Sequence, residues 1–512
     1  MKLGIDLGTT RTVVAAAQDG RYPVACFQVG DSVCDHVPGL AALTEAGLVY
    51  GAEAAAQAEP RRLLRSIKRI ASRLPPDAPV DDLEVTALDL VTGYVRALRG
   101  ALVERSSLDL DPEEPLEAMV AVPASAGARQ RYLMLEAFRR AGFEVLGMIN
   151  EPTAAAIEYA QRSLRGLGPR SPKRFLVVYD LGGGTFDAST ISLTSQHFDL
   201  LASDGIAQLG GDDFDVEILV LALEMMGVDP AAVDLSQAAT LLEACRIAKE
   251  GLGATSRRLL VDLSDLLPGA EPVILPTGEL YARCQPLVER TIECLDRLHG
   301  SLPFGGRELA AIYVAGGGAL FPPVLRSLRQ RYARKIQLAP LPHAATAVGL
   351  AVAADPHAGV LVREVTTRHL GVWREASDGL EKVFDWLIAK GDLPQRGEPL
   401  VLERRYEPAH RVGHLRFVEC ARLGSQGEPT GELTPLEEVL FPYDPLLADR
   451  DLRDHAADRT GALAGQEIVE TYTCGRDGRV SVVIENRTRG YRREYWLGEG
   501  ASKTRGSPPS SS

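Results

Sequence analysis

The stretch Phe175-Leu176-Val177-Val178-Tyr179-Asp180-Leu181-Gly182-Gly183-Gly184-Thr185-Phe186-Asp187 decides the fold. An apolar strand runs directly into a turn rich in Gly, Thr and Asp. The same layout stands at the start of the chain, in Leu3-Gly4-Ile5-Asp6-Leu7-Gly8-Thr9-Thr10. A third version, Ala311-Ile312-Tyr313-Val314-Ala315-Gly316-Gly317-Gly318, lacks the Asp and Thr. The first two share Asp-Leu-Gly followed by Thr. That weak internal repeat predicts two related α/β halves whose glycine loops converge on a shared cleft.

Helical patterns separate these strands. Tyr132, Leu135 and Phe138 recur at spacings of three behind Arg129-Gln130-Arg131, in a helix that Gly142 ends. Pro152 stands where a helix starts, leading into Thr153-Ala154-Ala155-Ala156-Ile157, and Pro322-Pro323 opens another with Leu325, Leu328 and Tyr332 on one face. Strand and helix alternate to about residue 355, which reads as α/β. From about 366 to 497 the texture changes to strands and turns. Leu415 and Phe417 alternate with polar neighbours, as do Val480, Val482 and Ile484 after the Asp477-Gly478 turn, and Tyr491, Arg493, Tyr495 and Leu497 share a face. This second part reads as an all-β sandwich. The predicted boundaries are 1–358 for the α/β part, 359–365 for a linker, 366–498 for the sandwich and 499–512 for a disordered Ser/Pro-ending tail.

Composition narrows the function classes. The 512 residues are 45% hydrophobic and 24% charged, with 56 Lys+Arg against 69 Asp+Glu and a formal charge of −13. An acidic balance argues against a nucleic-acid or anionic-membrane binder, since both need a basic footprint. The seven cysteines form no C-x-x-C pair, as expected for reduced thiols in the cytosol. No signal segment or long apolar run is evident, so a cytoplasmic protein is expected.

Successive backbone N–H groups hold a phosphate chain well, and glycine lets the backbone approach closely. Thr9, Thr10 and Thr185 add hydroxyls, and Asp6 and Asp180, at their strand ends, suit a hydrated Mg²⁺ between them. Neither a P-loop nor a dinucleotide-binding glycine motif occurs. One glycine turn alone would be only a tight connection; two Asp-Leu-Gly loops followed by Thr and a third glycine turn favour phosphate.

Five motifs carry a resemblance: IDLGTT (5–10), INEPTAAAIEY (149–159), YDLGGGTFD (179–187), LGGDDFD (209–215) and VAGGG (314–318). Together they closely resemble the seventy-kilodalton heat-shock chaperone family, of which bacterial DnaK is the familiar member. The match is strong to about residue 355 and weaker in the β region. It implies a two-lobed actin-like (ribonuclease-H-like) ATPase domain, a short apolar linker and a β-sandwich that grips extended peptide. Asp6 and Asp180 would then hold Mg²⁺ through water. Gly8, Thr9, Thr10, Gly182, Gly183, Gly184 and Thr185 would cradle the phosphates of ATP or ADP, and Gly210, Gly211, Lys249, Gly316, Gly317 and Gly318 would complete the nucleotide site. Lys68 matches the lysine at the γ-phosphate and the attacking water, while Glu151 and Asp187 match the carboxylates around them; Thr185 joins these as a catalytic candidate. Without the resemblance, Lys68, beside Arg61, Arg62, Arg65 and Arg69, would read as a solvated basic helix face. Pro123 and Arg131 match a relay of nucleotide state towards the β domain.

The chain also departs from the family. On the base-binding helix, Arg246-Ile247-Ala248-Lys249-Glu250-Gly251-Leu252-Gly253 keeps only Lys249 in register, and Leu320 replaces an arginine against the adenine, so weaker ATP binding is expected. The linker Val360-Leu361-Val362-Arg363-Glu364 carries a charge at its last apolar position. Leu387-Ile388-Ala389-Lys390-Gly391-Asp392-Leu393-Pro394 resembles the loop before the peptide groove, and Gly413 and Leu415 fall where the groove presents apolar side chains, with Gly413 opening or flattening the central pocket. The length leaves no room for the family's helical lid, so a lidless variant with fast peptide exchange is expected. The leading expectation is a slow ATPase chaperone binding unfolded or extended polypeptide, with a J-domain co-chaperone and a nucleotide-exchange factor as partners. The alternative is a nucleotide-binding scaffold for one specific protein, with weak or uncoupled ATPase.

Overall fold

The computed structural model describes residues 1–57, 62–81, 83–111, 113–163, 173–193, 197–229, 233, 235–267, 271–300, 307–363, 366, 368–376, 381–392, 399–425, 427–448, 450–455, 465–475 and 479–498. The expected linker end at 364–365, Leu393-Pro394, the Asp477-Gly478 turn and the 499–512 tail lie outside the described residues. Two compact units are present: Met1–Arg73, Asp89–Ala124 and Ala137–Val362 form the first, and Leu74–Leu88, Ser125–Glu136 and Arg363–Ser512 the second.

The first unit uses one plan twice. Strand Lys2–Leu7 pairs antiparallel with Arg11–Ala16 and parallel with Leu116–Val122, beyond which Phe143–Asn150 adds in parallel. Strand Phe175–Leu181 pairs antiparallel with Phe186–Leu193 and parallel with Leu309–Ala315, beyond which Ile336–Leu338 adds in parallel. Each hairpin turn is closed by the same bond: Gly8 N–H donates to Arg11 O at 3.0 Å, and Gly182 N–H to Thr185 O at 3.0 Å. The repeat in the sequence is thus a repeat of topology, and the fold is the actin-like α/β arrangement expected.

Helices begin and end where periodicity, prolines and glycine placed them. Ala128–Arg140 is followed by Gly142 at φ +87°, Glu151–Ser163 carries Pro152 in its first turn, and Pro322–Tyr332 opens on its two prolines. In the second half of the unit, Val177, Tyr179, Phe186, Phe214, Leu295, Val314 and Leu328 are all buried in one core. Leu361–Arg363 forms the edge strand of the six-stranded sheet. Strand pairing uses main-chain groups, so the charge at Arg363 does not prevent it.

The second unit carries two four-stranded sheets. One runs in the order Glu381–Ile388, His369–Ala376, Val412–Leu423, Pro429–Pro442; the other runs Leu400–Tyr406, Ile468–Cys474, Val480–Asn486, Tyr491–Leu497. Alternation puts Val372, Leu415, Phe417, Phe441, Val482 and Ile484 between them. A fully buried carboxylate, Glu470, is tolerated there because it is hydrogen-bonded. It accepts from the Tyr472 hydroxyl at 2.5 Å, from Arg374 at 2.6 Å and from the Tyr406 hydroxyl, and Arg374 also reaches Asp385 at 2.7 Å.

The sandwich agrees with the sequence; its expected pocket does not. Leu415 and Gly413 are both buried in the interior. A Cβ on Gly413 would lie 2.4 Å from the Tyr443 hydroxyl oxygen, so the space released by the missing side chain is filled by the Tyr443 ring. That ring is itself buried, and its hydroxyl lies 2.6 Å from that of Tyr406. Of the two expected outcomes, an opened or a flattened pocket, the position is not opened, because a neighbour within the same unit packs into the gap.

Candidate functional site

The cavity formed by the glycine loops lies wholly within the first unit and encloses about 340 Å³. Its lining includes Asp6, Lys68, Glu151 and Asp180 with residues of the turns Gly8–Arg11 and Gly182–Thr185, and also Arg246, Lys249, Glu250, Leu252, Gly316–Gly318, Leu320, Phe321, Pro342, His343 and Thr346. Close packing against neighbouring side chains and backbone explains the glycines. A Cβ on Gly183 would fall 1.8 Å from Thr10 Oγ1, and Gly316, at φ +81°, would bring one to 2.2 Å from Leu181 O.

Most of the residues singled out by sequence come together here: Asp6, Gly8, Thr9, Thr10, Lys68, Glu151, Asp180, Gly182, Gly183, Thr185, Gly211, Lys249, Gly316, Gly317 and Gly318 all line the cavity. Three others stand behind its wall. Gly184 packs against Thr9, Asp187 is buried, and Gly210 lies against the Gly183 carbonyl with its N–H donating to Asp213 Oδ2 at 2.7 Å. Gly211 N–H donates to Gly182 O at 2.9 Å and Asp212 N–H to Gly183 O at 2.7 Å, so the loop at 209–215 braces the phosphate-type turn. Of the two relay candidates, Pro123 is buried in the first unit; Arg131, in the second, is buried with its Nε donating to Ala126 O at 3.2 Å, which makes it no surface charge.

The electrostatics of the acidic cluster are unusual. Lys68 is buried and pairs with Glu151 Oε1 at 2.5 Å. Burial alone would lower its pKa, but Glu151, Asp6 and Asp187 outweigh that and hold the ammonium above its ordinary value. The carboxylates move the other way. Burial first, and then the charge of Glu151, pushes Asp6 and Asp187 up to about 7, despite the opposing field of Lys68. Asp180 is raised well above the carboxylate range by burial, Glu151 and Asp6. Asp6 Oδ1 is buried with no hydrogen-bond partner. One lysine does not neutralise four crowded carboxylates, and a divalent cation would. Among the described residues no three His, Cys, Asp or Glu side chains are grouped to ligate a metal directly. The residues present therefore fit a hydrated Mg²⁺ beside a phosphate chain.

Sequence reasoning missed the network that ties the walls together. Ser66 Oγ donates to Asp212 Oδ2 at 2.6 Å and Thr10 Oγ1 to Asp212 Oδ1 at 3.3 Å. Buried Asp215 takes Arg65 at 3.0 Å and Lys249 at 2.6 Å, while the Lys249 ammonium also donates to Gly211 O. Arg246 pairs with Glu243 and with Glu250 at 2.6 Å, and Arg11 pairs with Glu250. His343 Nε2 lies 2.7 Å from Asp35 Oδ2. The LGGDDFD motif offered one signal, its three aspartates, and Glu250 stood out only as a departure on the base-binding helix; nothing local marked Arg11 or His343, whose pairings with Glu250 and Asp35 arise only through the fold.

Comparison with known proteins follows this geometry. The Hsp70 protein family matches residues 109–374, just over half of the chain. A protein described as a chaperone protein HscA homolog from Burkholderia ambifaria is 32% identical over 379 residues, covering 70% of this chain and 59% of its own length. Proteins of the same description from Ralstonia nicotianae and Pseudomonas putida are each 31% identical, over 381 and 410 residues, covering 70% and 75% of this chain and 58% and 63% of their own lengths. The chain thus spans less than two thirds of each of these relatives. Among the described residues no helix is long and apolar enough to cross a membrane. By its motifs, its twice-used hairpin plan and the extent of the match, the chain belongs to the Hsp70 family.

Proposed function

We propose that the chain is an ATP-binding, chaperone-like protein that hydrolyses ATP slowly in the first unit and holds extended polypeptide in the β unit. One observation carries the nucleotide reading: the carboxylates of Asp6, Asp180 and Glu151, partly exposed, and of buried Asp187 crowd around buried Lys68 where two glycine turns end. A bound, hydrated Mg²⁺ would supply charge neutralisation at the phosphates, with Asp6 and Asp180 orienting its waters. The N–H groups and hydroxyls of the 8–10 and 182–185 turns would hold the phosphate chain. Lys68, kept protonated, would face the γ-phosphate, and Glu151, in contact with its ammonium, would keep it in place and orient the attacking water together with Asp187. Phosphoryl transfer needs positioning and electrostatic stabilisation more than a covalent residue, and this cast provides both.

The scaffold reading has an observation of its own. Tyr443 occupies the space above Gly413, the position that the resemblance gives to the central peptide pocket. A sandwich filled in this way suits one fixed protein partner better than many extended segments. A J-domain co-chaperone, a nucleotide-exchange factor and a cytoplasmic setting belong to the chaperone reading.

Steady-state ATP hydrolysis by the whole chain, with and without an extended apolar peptide and with Mg²⁺ or EDTA, separates the two. Mg²⁺-dependent turnover that rises severalfold with peptide supports the chaperone. Mg²⁺-dependent turnover indifferent to peptide supports the scaffold, and no Mg²⁺-dependent turnover refutes the ATPase in both.

A further inference from the structure

We infer that Asp212 and Ser66 form a positioning pair for Lys68: the Asp212 carboxylate holds Ser66 in the backbone conformation that aims the lysine ammonium. This deepens the ATPase reading above and rests on it.

Lys68 is carried by the short helix Ile67–Ser72, and that helix starts in an unusual way. Ser66 lies at φ +58° and ψ +52°, in the left-handed region that residues with a Cβ rarely enter. Such a conformation persists only where the surroundings hold it, and it clusters at functional sites. A serine at a helix start ordinarily turns its oxygen onto the first free N–H groups, but Ser66 makes no such capping bond. It is buried, and its hydroxyl donates to Asp212 Oδ2 at 2.6 Å. Its carbonyl accepts from Arg69 N–H at 2.8 Å and from Ile70 N–H at 3.1 Å. The first helical bonds therefore hang on the Ser66 backbone, two residues before Lys68.

Asp212 is also joined to both glycine turns. Its N–H donates to Gly183 O at 2.7 Å, and its Oδ1 accepts from Thr10 Oγ1 at 3.3 Å. One residue thus ties the start of the lysine helix to the two turns that would hold the phosphates. The neighbouring arginines add charge on the same loop: Arg65 reaches Asp215 at 3.0 Å, and Arg69 lies 3.9 Å from Asp212 Oδ2. Neither replaces the short, directional bond from Ser66. The Lys68 ammonium itself meets Glu151 at 2.5 Å, so the lysine is fixed at its tip by one carboxylate and at its base by another. The pair acts through Lys68, and misplacing a catalytic group by about 1 Å can cost about a hundredfold in rate.

The test is single-turnover hydrolysis of Mg·ATP by the whole chain, with the dissociation constant for Mg·ATP measured alongside. Ser66→Ala should hydrolyse at least tenfold more slowly than wild type while binding Mg·ATP within threefold. Asp212→Asn, whose amide oxygen still accepts from Ser66, should lose less rate than Ser66→Ala. Added to Lys68→Ala, Ser66→Ala should slow hydrolysis by no more than a further twofold, because the lysine through which it acts is gone. A loss smaller than tenfold, binding weakened as much as the rate, or a further loss above twofold in the Lys68→Ala background overturns the inference and leaves the ATPase reading standing. No hydrolysis by wild type overturns the reading and the inference together. Should Ser66→Ala fail to fold, Ser66→Gly, which enters the left-handed region freely and lacks only the hydroxymethyl anchor, is read by the same limits.

Discussion

Replacing Asp187 by Asn makes the ligand-free protein more stable while impairing its nucleotide site. Asp187 is 4% exposed, and its carboxyl is pushed from 3.8 to about 7 by burial first and by Glu151 second. A rise of roughly three pH units, at about 1.4 kcal/mol each, corresponds to about 4 kcal/mol of destabilisation when the group is charged. The sign follows from linkage: the unfolded chain loses this proton near 3.8 and the folded chain only near 7. The penalty therefore accrues as pH rises between about 4 and 7 and is complete above 7. Asn removes the charge but gives up a charged hydrogen-bond acceptor, which returns about 1–3 kcal/mol. A net gain of about 1–3 kcal/mol at pH 8 in EDTA remains. Thermal unfolding of the whole chain should show a midpoint several degrees above wild type at pH 8, an advantage that shrinks to less than half by pH 5. Added Mg·ATP should raise the wild-type midpoint more than that of the variant. A variant less stable than wild type at pH 8, or one whose advantage ignores pH, refutes the reasoning.

Three further outcomes follow from the same geometry. At pH 7 Asp6 and Asp187 are each near half protonation, so binding of Mg·ATP releases protons and its affinity rises from pH 6 to 8; calorimetry in buffers of different ionisation enthalpy should show the release. Gly183→Ala places a methyl 1.8 Å from Thr10 Oγ1, forces the two turns apart and should weaken nucleotide binding at least tenfold, with part of the loss recovered in the Gly183→Ala/Thr10→Ala double variant. In the β unit, Tyr443→Ala should lower stability by about 3–5 kcal/mol and Tyr443→Phe, which loses only the bond to Tyr406, by about 1 kcal/mol, both read in denaturant titrations of the whole chain.

Much of this was legible because the fold repeats a local code. Asp-Leu-Gly followed by Thr specifies a strand end, a tight turn and a second strand, and that information lies within ten residues. Apolar alternation likewise placed Leu415, Phe417, Val482 and Ile484 inside the sandwich. What escaped depended on distant partners. Lys68 looked like one more charge in a basic run until burial beside Glu151, 83 positions away, set it apart from its neighbours. At Gly413 the sequence leaves an opened or a flattened pocket, because a missing side chain says nothing about which neighbour fills the space; Tyr443, thirty residues on, does so. Departures at Arg246, Glu250 and Leu320 were visible as substitutions, and Arg246 pairs with Glu243 and Glu250 at helical spacings; the pairing of Glu250 with distant Arg11 leaves no periodic trace.

Single-turnover hydrolysis of ATP in excess Mg²⁺, comparing the whole chain with Lys68→Ala, tests the central claim most directly. A buried ammonium held by Glu151 at the closed end of the phosphate loops predicts slow but measurable hydrolysis by wild type. The variant should bind ATP within about tenfold of wild type yet hydrolyse it at least a hundredfold more slowly, a loss of transition-state stabilisation of roughly 2.7 kcal/mol or more. Equal rates for the two proteins, or no hydrolysis by wild type with ATP bound, would contradict the account.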